Sequence, residues 1–244
     1  MFVDIHNHIL PGIDDGAPTM GHAVEMARQA VACGTDTMVA TPHRAYGTRR
    51  SAPPDWVRGL VIELQRVLDG EGVPLHVVPG LEIPMGPAVA DELTAGQLLT
   101  LGDAGAWALV EPPFDRIPRD GLDSLRRIHD TGLRVVLAHP ERCAEIQRGL
   151  TFIESCADLG MAFQLTTGSL LGRFGSRAQA TAEAILAHAS EWPLVLASDT
   201  HDLRDRTAGL MAEARDRAAE LVGTTLAEEM ADSRPRSFLI HSQD

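Results

Sequence analysis

Cysteine is sparse in this chain, and what there is excludes two common kinds of site. Cys33, Cys143 and Cys156 are odd in number, scattered, and form no CxxC pair. Neither a disulfide framework nor a thiolate zinc site is therefore expected, and the three read as small buried hydrophobes. Basic residues are also short: 21 Lys and Arg stand against 34 Asp and Glu, a formal net charge of −13. Nucleic acids and anionic membranes are usually met by cationic patches that neutralise phosphates, so both are disfavoured as partners. Part of the acidic excess can instead be metal ligands. No apolar run approaches the roughly 18–20 residues that cross a bilayer. The opening Met1-Phe2-Val3-Asp4-Ile5-His6 lacks the basic start and apolar core of a signal peptide. The expectation is a cytoplasmic protein without membrane insertion.

What is present suits one sizeable core. A chain of 244 residues with 44% hydrophobic residues lies in the range that α/β barrels occupy as single domains. No linker, repeat or composition shift divides it, so residues 1–244 are read as one domain. Short apolar or β-branched runs at 2–5, 37–40, 75–79, 107–110, 134–138, 162–166 and 194–197 read as seven strands. Between them, Ala23, Met26, Ala27, Ala30 and Val31 recur at helical spacing before Gly34. Val57, Leu60, Val61, Leu64, Val67 and Leu68 do the same before Gly70. Further helices are expected at 121–130, 151–158, 178–188 and, amphipathically, 210–229. Strands alternating with helices indicate a parallel α/β architecture. The stretch 44–54, with Gly, Ser, two prolines and the sole tyrosine, Tyr46, is the candidate mobile loop.

Histidines and acids fall just after the C-terminal ends of those strands. His6 and His8 follow the first, His43 the second, Glu82 the third, Glu111 the fourth, His139 the fifth, and Asp199 with His201 the seventh. In a barrel of parallel strands these ends converge on one mouth. His6/His8 and Asp199/His201 are i, i+2 pairs, so in extended chain the two side chains of a pair point the same way. Imidazoles mixed with carboxylates suit Zn, Mn or Fe, and several acids allow bridging between ions. A histidine alone is more often a surface or satisfied core residue, and His22, His76, His129, His188 and His241 are read that way. Eight groups at the same end of successive strands are hard to explain as coincidence.

Several blocks, in order, resemble one family. They are Asp4-Ile5-His6-Asn7-His8-Ile9-Leu10-Pro11-Gly12-Ile13-Asp14-Asp15-Gly16, Ala40-Thr41-Pro42-His43, Gly80-Leu81-Glu82-Ile83, Ala138-His139-Pro140-Glu141-Arg142, Gly168-Ser169-Leu170-Leu171-Gly172-Arg173-Phe174-Gly175 and Ala197-Ser198-Asp199-Thr200-His201. The chain resembles the PHP (polymerase and histidinol phosphatase) superfamily over nearly its whole length. The likeness is specifically to bacterial capsule-associated protein-tyrosine phosphatases of the CpsB and YwqE type.

The resemblance implies a distorted seven-stranded (β/α)7 TIM-like barrel of the PHP type with two or three divalent ions, usually manganese, with Fe, Zn or Mg as alternatives. By motif, His6, His8, Glu82 and Asp199 would hold one ion, Asp14, His43 and His201 a second, and Glu82, Glu111 and His139 a third. Asp15 adjoins Asp14, and spacing alone does not choose between them; an Asx turn is the structural alternative for Asp14. Hydrolysis of a phosphate monoester needs charge neutralisation and an ionised water, and a metal cluster supplies both. Guanidinium groups suit phosphoryl oxygens. Arg142 and Arg206, three and five residues after His139 and His201, are the first candidates for catalysis and substrate binding, with Arg44 and Arg173 as further binding candidates. A surface ion pair is the plainer reading of each. The thiol route to phosphotyrosine hydrolysis is excluded, because no cysteine has an arginine six positions on. The implied substrate is a tyrosine-phosphorylated protein, in particular a bacterial tyrosine kinase controlling capsule or exopolysaccharide synthesis. The alternatives are another PHP-type phosphatase or phosphodiesterase (histidinol phosphate, nucleic acid) and a silent metal-binding regulatory module.

Overall fold

The structure is a computed structural model that describes residues 1–44 and 52–240. Most of the expected 44–54 loop, including Tyr46, lies outside the described residues, as does His241.

Strands and helices alternate as the hydrophobic pattern requires. The order is β1 (Phe2–Asn7), α1 (Met20–Ala32), β2 (Thr35–Ala40), α2 (Pro54–Gly70), β3 (His76–Pro79), β4 (Glu82–Pro84) and α3 (Val89–Thr94). Then come β5 (Trp107–Glu111), α4 (Gly121–Asp130), β6 (Arg134–Ala138), α5 (Thr151–Ala157), β7 (Ala162–Thr166), α6 (Thr167–Leu170), α7 (Ser176–Leu186) and β8 (Leu194–Ala197). Helices α8 (Met211–Val222), α9 (Thr224–Ala231) and α10 (Ser233–Ser237) close the described chain. Every strand pair is parallel and sequential, β1-β2-β3 in one sheet and β4-β5-β6-β7-β8 in the other.

Among the described residues, two sheets with eight strands thus replace the expected single run of seven. The break falls at Gly80. β3 stays paired to β2 through Pro79, and Gly80 then passes so close to β2 that an added Cβ would lie 2.8 Å from Val39 Cγ1. Beyond it the chain pairs anew: Glu82 N donates to Pro42 O at 3.1 Å and Glu82 O accepts from Arg44 N at 3.0 Å, while β4 pairs with β5. Isolated parallel bridges, His43 to Glu82 and Asn7 to Thr200, bring the sheets together at both seams.

Side-chain alternation distributes the residues of β2 and β5–β8 between two core clusters, as expected of parallel strands buried on both faces. Val39, Leu109, Val136, Ala138, Ala162, Val195 and Ala197 share one cluster with Val3 and Ile5. Their neighbours Met38, Ala40, Ala108, Val110, Val135, Leu137, Phe163, Leu165, Leu194 and Leu196 pack in the larger one, with residues of α1, α2, α4, α5 and α7. The seam between β1 and β8 is polar. Ser198 donates to Asp4 through its backbone N at 3.0 Å and its Oγ at 2.5 Å, Asp199 N donates to His6 O at 2.8 Å, and His8 N to Thr200 O at 2.9 Å. Burial pushes the Asp4 carboxyl up to about 6 despite the Ser198 bonds. These bonds fix β1 against the segment after β8, which is where His6, His8, Asp199 and His201 meet.

Candidate metal centre

Glu82, the first residue of β4 and buried, lies at the middle of the strand-end cluster. Its Oε1 is 3.2 Å from His6 Nε2 and 2.9 Å from His139 Nε2; its Oε2 is 3.4 Å from His8 Nε2 and 2.8 Å from His43 Nδ1. Asp199 Oδ1 is 3.4 Å from His6 Nε2, 3.5 Å from His8 Nε2 and 3.6 Å from His201 Nδ1. Glu111 Oε1, at the end of β5, is 3.8 Å from His139 Nε2. Strand ends from both sheets therefore deliver donors to one mouth.

The outer nitrogens of three imidazoles are already engaged. His6 Nδ1 donates to Gln164 Oε1 at 2.9 Å, His8 Nδ1 to Asp14 Oδ2 at 2.7 Å, and His201 Nδ1 to the Asp199 carbonyl at 2.9 Å. Such bonds fix the tautomer and leave Nε2 as the free donor atom. His6 Nε2, His8 Nε2, His201 Nε2 and Glu82 Oε2 are buried and have no hydrogen-bond partner among the described residues. Buried polar atoms are ordinarily satisfied, so orphans aimed at one another mark a place for a cation. Four donor groups each converge within 4.8 Å: His8, Asp15, His43 and His201; His6, His8 and Asp199; His6, Glu82 and His139; and His43, Glu82 and Glu111. The nine residues of these groups are enough donors for more than one divalent ion, and Glu82, a carboxylate found in two of the groups, is the one suited to be shared.

Of the two adjacent aspartates, Asp15 joins the donor set and Asp14 stands behind it. Asp15 Oδ1 is 3.4 Å from both His43 Nε2 and His201 Nε2. Asp14 instead accepts from His8 Nδ1, from His43 N at 3.0 Å and from Gly16 N at 3.0 Å. The loop carrying both is a tight return, in which Gly12 N donates to Ala17 O at 2.8 Å and Ala17 N to His8 O at 3.0 Å. Gly16 lies against the backbone it returns to, so that an added Cβ would be 2.0 Å from His8 O. Gly16→Ala should therefore displace the loop, costing about 1–3 kcal/mol of stability and part of the bound metal. Thermal unfolding with metal analysis of the same sample checks this, and an unchanged metal content would contradict it.

The electrostatics of the cluster call for cations. Burial favours the neutral form of Glu82, but His6, His139 and His43 outweigh it and hold the carboxyl well below its usual range. Burial likewise opposes charge on His8, yet Asp14, Asp199 and Glu82 raise it well above the usual imidazole value. Burial opposes charge on His43 too, but Asp15 and Glu82 raise it to about 10. Burial, aided by Glu82, pushes Glu111 up to about 7. Protons thus occupy the cluster when divalent ions do not, and ions must displace them. A ligand whose metal-free pKa is raised carries its proton below that pKa, so metal affinity should rise with pH through neutrality towards about 10 for His43. The expected slope is roughly tenfold per pH unit for each proton displaced. Metal titration calorimetry at pH 6, 7 and 8, in buffers of different ionisation enthalpy, should show proton release; a pH-independent affinity would rule this out.

Backbone strain and two arginines complete the mouth. His139 and Asp199 have φ of +28° and +51°, conformations that non-glycine residues rarely adopt and that concentrate at functional sites. Gln164, in β7, accepts from His139 N at 3.0 Å as well as from His6 Nδ1, tying two cluster histidines to one amide. Sequence reasoning did not assign Gln164 a role; a polar residue inside an otherwise apolar buried strand was the available signal. Asp199 Oδ2 accepts from Arg142 Nη1 at 2.7 Å and Arg206 Nη2 at 2.6 Å. Arg44 is instead paired with Glu92, and Arg173 is exposed. Cys143 is buried.

The sequence profile of the family described as capsular polysaccharide synthesis, CpsB/CapC, matches residues 2–240. The chain is 39% identical over 208 residues to the tyrosine-protein phosphatase YwqE of Bacillus subtilis (strain 168), covering 84% of this chain and 79% of that protein. It is 25% identical over 247 residues to the tyrosine-protein phosphatase CpsB of Streptococcus pneumoniae, covering 98% of each. A chain from the crystal structures of those two proteins, described there as metal-dependent tyrosine phosphatases, superposes with a TM-score of 0.90 at 35% identity, covering 97% of this chain and 94% of that one. The phosphotriesterase homology protein of Escherichia coli shares the fold alone, with a TM-score of 0.62 at 12% identity over 98% of both chains. No helix among the described residues is long and apolar enough to cross a membrane. With nearly its whole length matched by one family profile, the chain belongs to the CpsB/CapC family of capsular polysaccharide synthesis proteins.

Proposed function

We propose that this protein is a metal-dependent phosphomonoesterase that hydrolyses phosphotyrosine in proteins. The observation that carries the reading is the buried imidazole–carboxylate cluster with two guanidinium groups on its outer side. His6, His8, Asp15, His43, Glu82, Glu111, His139, Asp199 and His201 would hold two or three ions, with manganese the expected metal. Asp14 and Gln164 would orient His8 and His6. When bound, divalent ions neutralise phosphoryl oxygens and acidify water. The inner cluster shared by strands of both sheets supports reading the two sheets as one distorted barrel, working as a single unit.

The chain's own residues supply recognition and orientation. Arg142 and Arg206 share Asp199 Oδ2 and retain further N–H donors in their planar forks. Arg206 Nε is buried and has no partner among the described residues. Asp199 fixes both guanidinium groups through Oδ2 while its Oδ1 faces the histidines, so phosphate recognition and the cluster are mechanically linked. The leaving phenolate has a parent phenol pKa of about 10 and needs little protonation. The relatives' names support a phosphotyrosine protein as substrate, and the family's role in capsular polysaccharide synthesis supports a tyrosine kinase of that system, in the cytoplasm, as the source. Turnover on tyrosine phosphopeptides, histidinol phosphate and single-stranded DNA, each with and without chelator, tests this. Chelator-sensitive activity on the phosphopeptides is expected; activity only on the other two would overturn the substrate class.

A further inference from the structure

Beside the cluster lies an aromatic feature that metal binding does not use. Phe114, in the β5–α4 loop, is 50% exposed, one of few large hydrophobic side chains so open to solvent among the described residues. It is nonetheless held in place. Its carbonyl accepts from Ala144 N at 2.7 Å, its ring stacks on His139 at 5.6 Å and 11°, and the Arg142 guanidinium carbon lies 4.7 Å from its centroid. Phe174 approaches the same guanidinium at 4.5 Å. Phe174 is seated on Gly168, where an added Cβ would come within 2.8 Å of the ring. The two rings, with Arg142, Gln147 and Ala178, line a cavity of about 280 Å³. A dry cavity of about 150 Å³ is enough for benzene.

We propose that Phe114 and Phe174, with Arg142 held between them, form the recognition wall for the aromatic ring of an aryl phosphate, so that the site prefers aryl over alkyl phosphates. The inference rests on the phosphatase reading above and adds the residues that set its selectivity. Arg142 faces both parts of such a ligand: its Nη1 donates to Asp199 Oδ2 at the cluster, and its guanidinium carbon lies over both rings. A phosphoryl group at the cluster would leave its ring beside Phe114, the partner that stacks on His139. An alkyl phosphate has no π-face to offer this wall, and offset aromatic pairing adds to simple area burial.

The test is calorimetric binding of phenylphosphonate and methylphosphonate to Mn(II)-loaded protein, which requires no turnover. The wild type should bind the phenyl ligand roughly tenfold more tightly. Phe114→Ala, a change at a half-exposed side chain, should reduce that preference below about threefold while leaving methylphosphonate affinity within about twofold. Phe174→Ala should act in the same direction. A wild type without phenyl preference, a preference that survives both substitutions, an equal weakening of both ligands, or no binding of either would overturn the proposal. Phosphate release by the wild type, measured in parallel, reports the phosphatase reading separately, because the binding preference is read whether or not turnover occurs.

Discussion

Glu82→Gln is expected to lower kcat/KM on a tyrosine phosphopeptide by roughly 10³-fold or more, equivalent to about 4 kcal/mol of transition-state stabilisation. The reason is geometric. One carboxylate lies within 3.4 Å of ring nitrogens from four histidines, His6, His8, His43 and His139, and it belongs to two of the four donor groups. The amide keeps the shape but not the negative charge that would neutralise divalent ions in both groups. Glu82 anchors β4 through its backbone N and O, to Pro42 and Arg44, and the substitution leaves those bonds in place. The variant should thus retain its circular dichroism spectrum while losing at least one equivalent of metal. Wild-type metal content combined with wild-type turnover would remove Glu82 from the centre of the site.

The second large effect separates two neighbours. Asp15→Asn should cost roughly 10²- to 10³-fold in activity, because Asp15 Oδ1 faces both His43 and His201 and is the only carboxylate in that donor group. Asp14→Asn should cost less, about 10-fold in activity and in metal affinity, within the range for residues that orient a ligand. The role of Asp14 is to accept from His8 Nδ1 and from the His43 and Gly16 backbones. An amide in its place still accepts through its oxygen, so the substitution need not cost the His8 tautomer. Metal titration of the two variants side by side decides the order. An Asp14 variant that loses more metal than the Asp15 variant would reverse the assignment.

Much of this was legible in the chain, for identifiable reasons. The apolar runs of β2, β5, β6, β7 and β8 are buried on both faces and bounded by helical patterns, so their position and parallel sense follow from sequence. The placement of His6, His8, His43, Glu82, Glu111, His139, Asp199 and His201 just beyond strands is likewise readable, and the structure brings all eight together. β4 was not readable: it has three residues, begins with a charged one and ends in proline, and it exists because Gly80 lets the chain cross β2 closely. Neither was the division of labour between Asp14 and Asp15, which depends on the return of Gly16 onto His8. Gln164 and Phe114 act through contacts with His6, His139 and Arg142, up to 158 positions distant in sequence. No local spacing encodes them. The value of the Gly168 to Gly175 block also emerges only in three dimensions, where Gly168 makes room for the ring of Phe174 and that ring for Arg142.

Anomalous diffraction from crystals grown with Mn(II) shows whether the strand-end cluster is a metal centre. At least two anomalous peaks are expected within the mouth, each about 2.0–2.4 Å from nitrogen or oxygen atoms of His6, His8, Asp15, His43, Glu82, Glu111, His139, Asp199 or His201. Asp14 should sit behind His8 without touching an ion. A fully loaded crystal with no peak among these residues would contradict the account.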